Sequence, residues 1–253
     1  MVRLRIKITL LPEEDKTLNI NYNYFLSGWV YNTLKKANKE FAEHLHEKGY
    51  SYGKKVFKLF TFSQLRSKNL KIIHDEIMFL DETYLYITSP KKEFMLNFVS
   101  EVLNNEFLRL QEYKFRIKSV EMLKEPEFNN EDKFICLSPI VTSTAIEVDG
   151  KRKSVNLPLH DSRFIENIKN NLIEKYYVLY NTLPNNLNVN IDFDINYYMK
   201  NPNGKRIKFK NVYVKGYMVP FKMSGNPDLI KVAYECGLGE KNSAGFGMIQ
   251  KIK

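Results

Sequence analysis

Few residues of this chain can move a proton near neutral pH: its 253 residues include 4 histidines, His44, His46, His74 and His160. Imidazole ordinarily titrates between about pH 5 and 8, so it serves as general base or general acid without a metal. His44 and His46 stand two apart in a stretch of helical composition, and residues at that spacing do not share a helix face. At most one of them faces a site. The same spacing argues against a metal centre, because two ligands from one helix face stand about four residues apart and no Asp or Glu cluster completes a set. Asp192 and Asp194 share a strand face, but Asn188, Asn190 and Asn196 flank them and mark it as solvated. His74 and His160 read as surface residues. Cys136 and Cys236 lie far apart in apolar surroundings and make neither a zinc site nor a disulfide framework, so a reduced, cytoplasmic protein is expected.

The second feature with chemical content is the run Cys236-Gly237-Leu238-Gly239-Glu240-Lys241-Asn242-Ser243-Ala244-Gly245-Phe246-Gly247-Met248. Its glycines let a backbone approach something closely or take dihedrals other residues avoid. No Gly-Lys-Ser/Thr ends the run, so it is not a nucleoside-triphosphate loop, and its spacing and following strand do not suit a dinucleotide. A loop rich in N–H groups with Lys241, Asn242 and Ser243 at its tip suits a sugar-phosphate backbone. Gly237, Gly239, Gly245 and Gly247 are therefore candidate contacts to such a backbone together with those three; a turn that merely needs small residues is the alternative.

The elements that must position these residues follow from periodicity. Val2, Leu4, Ile6, Ile8 and Leu10 alternate with Arg3, Arg5, Lys7 and Thr9 as a strand does. Leu26, Val30, Leu34 and Ala37 give a helix from about Tyr24. Extended runs follow at 56–62, 70–79 and 84–88, then a helix over 93–103, then a strand in which Tyr113, Phe115 and Ile117 alternate with Lys114, Arg116 and Lys118. This is a β-α-β-β-α-β order. After a polar linker at 125–132 the rhythm repeats: a strand at 134–142, a hairpin at Asp149-Gly150, a helix over 162–179, a strand alternating from Leu187 to Tyr197, an extended run at 207–221, a short helix at 227–234 and a last strand at 246–252. The expectation is an α+β chain of two tandem ferredoxin-like domains, residues 1–124 and 133–253.

In that topology the first and last strands are neighbours and helices cover one sheet face, so Arg3, Arg5 and Lys7 would join Lys114, Arg116 and Lys118 on the open face. Lys151, Arg152 and Lys153 after the Asp149-Gly150 turn, and Arg206, Lys208 and Lys210 on an alternating strand, add further cations. With a net charge of +10 these point to a polyanion, and nucleic acid is the commonest one. No stretch approaches the ~18 to 20 apolar residues of a membrane span, and the alternating N-terminus reads as a strand and not as a signal peptide.

The run Gly-Leu-Gly-Glu-Lys-Asn-Ser-Ala-Gly-Phe-Gly (237 to 247) resembles the C-terminal glycine-rich motif of the RAMP superfamily, and within it the repeat-processing endoribonucleases of CRISPR systems. Tyr22-Asn23 with Gly28-Trp29-Val30-Tyr31-Asn32, and Leu137-Ser138-Pro139-Ile140, agree with that family. The resemblance implies tandem ferredoxin-like domains, single-stranded CRISPR repeat RNA as partner, no metal or other cofactor, and products ending in a 2′,3′-cyclic phosphate and a 5′-hydroxyl. It leaves open whether CRISPR effector subunits also bind and whether the chain is a monomer or a homodimer. A non-catalytic RNA-binding subunit of an effector complex would share the fold and the loop.

By the same resemblance His46 matches the catalytic histidine, Tyr31 the tyrosine in Val30-Tyr31-Asn32, and Lys58 the lysine in Lys58-Leu59-Phe60-Thr61, with Lys54 and Lys55 close by. On one straight helix Tyr31 and His46 would stand about 22 Å apart, too far to act together. The helix must break between them, and Asn38 can end one helix and cap the next. A second helix over about Lys39 to Glu47, folded back on the first, is therefore predicted.

Overall fold

The structure, a computed structural model, describes residues 5 to 252. Arg3 and the opening of the first expected strand lie outside them. Six helices are described: α1 (Asn23–Ala37), α2 (Lys39–Glu47), α3 (Lys92–Leu103), α4 (Ser162–Tyr180), α5 (Ile195–Lys200) and α6 (Pro227–Cys236). Among the described residues no helix is long and apolar enough to cross a membrane.

The first domain is built on an antiparallel sheet in the order Phe107–Leu110, Tyr113–Met122, Arg5–Pro12, Thr83–Thr88, Thr61–Phe62, with Arg66–Ser67 also pairing Thr83–Thr88. Strand alternation sends Ile6, Ile8 and Leu10 to one face, where Leu26, Val30 and Leu34 of α1 and Phe94 and Phe98 of α3 close the core, all but Phe94 wholly buried. The second sheet runs Val189–Phe193, Phe221–Gly225, Glu131–Cys136, Ile249–Ile252. Phe134, Ile191 and Met223 meet Phe164, Ile168 and Leu172 of α4 and Ile230 of α6. Both sheets carry the first strand beside the last, and the fold is the tandem ferredoxin-like one.

Local chemistry sets the helix ends. Asn38 is a single extended residue between α1 and α2; its N–H donates to Leu34 O and its side chain accepts from Phe41 N at 3.0 Å. Such a cap stabilises a helix start by about 1 kcal/mol. Asp161 caps α4 in the same way, and α6 begins with Asn226 as cap and Pro227 in its first turn.

Several strand expectations were too simple. The alternation from Leu187 to Tyr197 is a strand only over Val189–Phe193, because Asp194 donates to Pro220 O, past the end of the partner strand, and caps α5 by accepting from Tyr197 N. Ile195 and Tyr197 are left exposed on a helix. The run at 207–221 is a hairpin, Lys205–Phe209 with Val212–Gly216, whose turn holds Lys210 at φ +53, followed by the main-sheet strand from Phe221. Most of 70–79 forms a separate hairpin pairing with Leu18–Asn19, so the short strands Thr61–Phe62 and Arg66–Ser67 take its place at the edge of the first sheet. The Asp149-Gly150 hairpin is as expected, both residues left-handed at φ +53 and +69.

Candidate active site

The break at Asn38 lays α2 back along α1 and brings Tyr31 and His46 together: their rings meet edge-to-face with centroids 5.0 Å apart. Tyr31 also packs on the buried Phe60, at 5.6 Å. His46 sits in the last turn of α2, where main-chain carbonyls lack helical partners. Lys58 fills that need, donating its ammonium to His46 O at 2.7 Å. Gly49 makes the approach possible: it turns left-handed at φ +60 past the helix end, and a Cβ there would lie 2.7 Å from Phe57 O and 3.0 Å from Lys58 Cδ. Leu59, at φ +52 with its carbonyl held by Ser89 Oγ, turns the chain so that Leu59 and Phe60 bury while Lys58 reaches the surface. Of the three nearby lysines it is Lys58 that joins the histidine; Lys55 is paired with Glu174 at 2.6 Å. Partial burial lowers the Lys58 ammonium below the ordinary lysine value.

Burial pushes the Tyr31 phenol up to about 12, opposed by a side-chain hydrogen bond with Ser243 of the glycine loop. That loop is seated on α1 by residues at a four-residue spacing. Asn23 donates to Gly245 O at 3.3 Å and Ser27 to Ser243 O at 2.9 Å, and Tyr31 reaches Ser243 one turn on. From the first sheet Thr61 donates to Phe246 O at 2.9 Å. Sequence reasoning missed Asn23, Ser27 and Thr61; their signal, an i, i+4 polar stripe on a helix that is otherwise core, was present for the first two.

Lys175 was missed as well. It is buried at 2% exposure in α4, and its ammonium donates to Gly237 O at 2.7 Å, Gly239 O at 3.0 Å and Asn242 Oδ1 at 2.8 Å. Burial lowers it to about 8. Glu240 ties the other flank, accepting from Ser143 N and Oγ at 2.9 and 2.6 Å.

This construction narrows the reading of the glycines and of Asn242 as RNA contacts, because the N–H groups of Gly237, Gly245 and Gly247 donate to Ala233 O, Asn242 O and Pro139 O within the chain. All four glycines have positive φ, and the space beside each belongs to the chain itself: a Cβ would meet Asn242 Nδ2 at 2.7 Å from Gly237, Val141 O at 2.4 Å from Gly239, Phe62 Cε2 at 2.4 Å from Gly245 and Leu238 O at 2.0 Å from Gly247. Asn242 turns inward and donates to Phe246 O at 3.0 Å. Lys241 is exposed and presents its side chain outward, while Ser243 is half-buried with its side chain on Tyr31.

The basic sheet face is also corrected. Arg5 is 3% exposed: it donates to Ile249 O at 2.9 Å and Tyr234 O at 2.6 Å and stacks on the Tyr234 ring at 3.4 Å, which makes it a tie between the two domains. Burial lowers its guanidinium to about 10. The antiparallel register sets Lys7 opposite Glu121, its ion-pair partner at 3.5 Å, and Arg116 opposite Leu11, so the two basic sets occupy opposite ends of the strand pair. Lys114 is half-buried with its N–H on Glu13, Arg116 is exposed, and Lys118 pairs with Glu82. Lys151, Arg152, Lys153 and Lys208 are exposed on hairpins. His44 turns toward Tyr50, His74 occupies a hairpin turn at φ +55, and His160 bonds Tyr198 at 3.1 Å.

Tyr31, His46 and Lys58 share a cleft of about 970 Å³, and Lys58 with Ser243 also borders a second cleft of about 780 Å³ that carries Lys241. Two ferredoxin-like domains joined through a glycine loop seated on the first helix define a protein of the RAMP type. Residues 17–121 match the family described as CRISPR-associated protein Cas6, N-terminal, and residues 123–251 match CRISPR associated protein Cas6, C-terminal. The chain belongs to the Cas6 family. It is 36% identical over 252 residues to the CRISPR-associated endoribonuclease Cas6 1 of Methanocaldococcus jannaschii, covering 99% of this chain and 93% of the relative. With the CRISPR-associated endoribonuclease Cas6 of Pyrococcus furiosus it shares 33% over 98% of this chain and 89% of that one. A solved structure described as a Cas6-related gene product of Pyrococcus furiosus superposes with a TM-score of 0.87 at 26% identity, covering 99% of this chain and 98% of the other.

Proposed function

We propose that this chain cleaves CRISPR repeat RNA within each repeat without a metal, using Tyr31, His46 and Lys58. The observation that carries the reading is the Tyr31–His46 ring contact with Lys58 anchored on the His46 carbonyl, at the edge of a cleft. The RNA 2′-oxygen attacks the adjacent phosphorus, the P–O5′ bond breaks, and the products carry a 2′,3′-cyclic phosphate and a 5′-hydroxyl. One proton leaves the 2′-hydroxyl and one reaches the departing 5′-oxygen. Tyr31, pushed up to about 12, stays protonated at neutral pH and gives its proton to the departing 5′-oxygen, while the His46 imidazole accepts the proton of the 2′-hydroxyl. The Lys58 ammonium has three protons, of which the His46 carbonyl takes one, leaving donors for the charge that grows on the phosphate.

Exposed cations, among them Lys151, Arg152, Lys153, Lys208 and Lys241, bind the backbone and set its salt dependence. The domain division at 125–132 leaves the proton-transfer residues in the first domain and the loop that orients Tyr31 in the second. Characterising the ends of the cleaved repeat tests the reaction class: 5′-hydroxyl and 2′,3′-cyclic ends are expected, and 5′-phosphate ends contradict it.

A further inference from the structure

The cleft extends well beyond Tyr31, His46 and Lys58, and its far end has an organisation that proton transfer does not require. Tyr24, Gly28 and Tyr31 follow one another at four- and three-residue spacing along α1, so Tyr24 stands about 10 Å along the axis from Tyr31. All three line the cleft. Gly28 sits in mid-helix, where glycine costs roughly 1 kcal/mol against alanine. Packing gives no reason for it: a Cβ built there meets nothing within 4 Å. The glycine keeps the cleft floor bare.

Beyond it, Tyr24 is 39% exposed and is held by the turn of the second domain's hairpin. Phe209 meets its ring edge-to-face at 5.4 Å, and the Lys210 ammonium lies 5.3 Å from the ring centroid. Lys208 N donates to Asn21 Oδ1 at 2.8 Å, which fixes the hairpin against the start of α1. Arg109, over the ring of Phe107, also lines the cleft. The cleft thus has exposed aromatic surface, cations beside it, and a stretch of clear helix leading to the catalytic residues. Its acids are fewer: Glu43 is paired with Lys35 at 3.1 Å, and Glu47 is the other.

We infer that this end of the cleft is a subsite for one nucleotide near the scissile phosphate, whose base stacks on Tyr24, whose backbone passes over Gly28 and whose phosphate is met by Lys210. The inference rests on the proposed RNA cleavage and assigns that reaction a positioning subsite. Aromatic–base stacking tolerates any base, so the subsite sets where the strand lies and not which base is read.

The test is a coupling measurement on binding, made in the His46→Ala background so that the RNA stays whole. Host repeat RNAs with a single abasic nucleotide walked along the sequence are bound to proteins carrying Tyr24, Tyr24→Ala or Tyr24→Trp. Tyr24→Ala is expected to weaken binding of intact repeat about tenfold, with Tyr24→Trp close to the parent. At one abasic position near the cut the Tyr24→Ala loss should vanish, as it must when both changes remove the same contact. Gly28→Leu should keep or raise the melting temperature while weakening repeat binding and slowing cleavage. A Tyr24→Ala loss that is the same at every abasic position, or a Gly28→Leu protein that binds and cuts as the parent does, overturns the subsite. Cleavage is read separately with unchanged His46: tight binding without cutting overturns the cleavage reading and leaves the coupling legible, and no repeat binding at all overturns both.

Discussion

Lys58 donates its ammonium to the main-chain carbonyl of His46 across 2.7 Å, so the helix end that presents the histidine is capped by the cation proposed to meet the phosphate. Because the contact is to the backbone, His46→Ala leaves Lys58 in position and the two variants report separate roles. Lys58→Met should cost no more than about 1 kcal/mol of stability, the worth of a cation at a helix C-terminus. It should slow single-turnover cleavage by about a hundredfold, as loss of one donor to a developing oxyanion does. Denaturation curves beside the rates check this; a rate loss no larger than the stability loss would contradict it.

Arg5 and Arg116 should behave as opposites. Arg5→Ala removes a buried guanidinium that ties Tyr234 and Ile249 to the first sheet, and is expected to destabilise the fold by about 3 kcal/mol. The salt dependence of RNA binding should hardly change. Arg116→Glu, on an exposed strand, should alter stability by about 0.5 kcal/mol at most and make binding less salt-dependent. Urea titrations and binding at several salt concentrations separate the two.

The rhythm of both domains was legible in the sequence because strand alternation and helical spacing report burial directly, as in Ile6-Ile8-Leu10 and Leu26-Val30-Leu34. The fold-back at Asn38 was legible for another reason: two residues that must meet cannot share one straight helix, and an asparagine stood between them. What failed depended on pairing across the chain. Nothing in the Arg3-Arg5-Lys7 alternation says that Arg5 will be taken by the carbonyls of residues more than two hundred positions away. Nor does the glycine run reveal that its space is filled by Phe62, Val141 and Asn242 or that Lys175 holds its carbonyls. The cleft joins the aromatics of one helix, Tyr24, Phe25, Trp29 and Tyr31, to the distant Phe107 and Phe209, and that assembly has no sequence motif.

Glu235 gives the fold a pH term. It is 2% exposed, with Lys231 3.7 Å away and Arg5 and Glu125 acting on it, and burial pushes its carboxyl up from 4.5 to about 7. The folded state therefore holds a proton that the unfolded chain has released between these values. This contribution is full below about 4.5 and is lost as the pH rises through about 7. Glu235→Gln should flatten that part of the stability profile and gain up to about 3 kcal/mol near pH 8. Parallel urea midpoints for the two proteins from pH 4.5 to 8 would contradict it.

The glycine loop should fail from inside. Lys175→Met leaves the carbonyls of Gly237 and Gly239 and the Asn242 carboxamide without their shared donor, and should destabilise the protein by about 3 kcal/mol. Gly247→Ala sets a Cβ 2.0 Å from Leu238 O at a φ of +74 and should do at least comparable harm. Both should slow cleavage, since the loop carries Ser243 to Tyr31. A Lys175→Met protein as stable as the parent would show that the buried ammonium does not hold the loop.

The most direct test of metal-free cleavage at Tyr31, His46 and Lys58 is incubation of labelled host repeat RNA with the purified protein in EDTA. A His46→Ala protein and a repeat with a single 2′-deoxy nucleotide at the cut run beside it. Specific cutting in EDTA, abolished by either change while binding persists, is the predicted result. Tight binding with no cutting by the unchanged protein, or cutting that survives the 2′-deoxy substitution, would contradict the account.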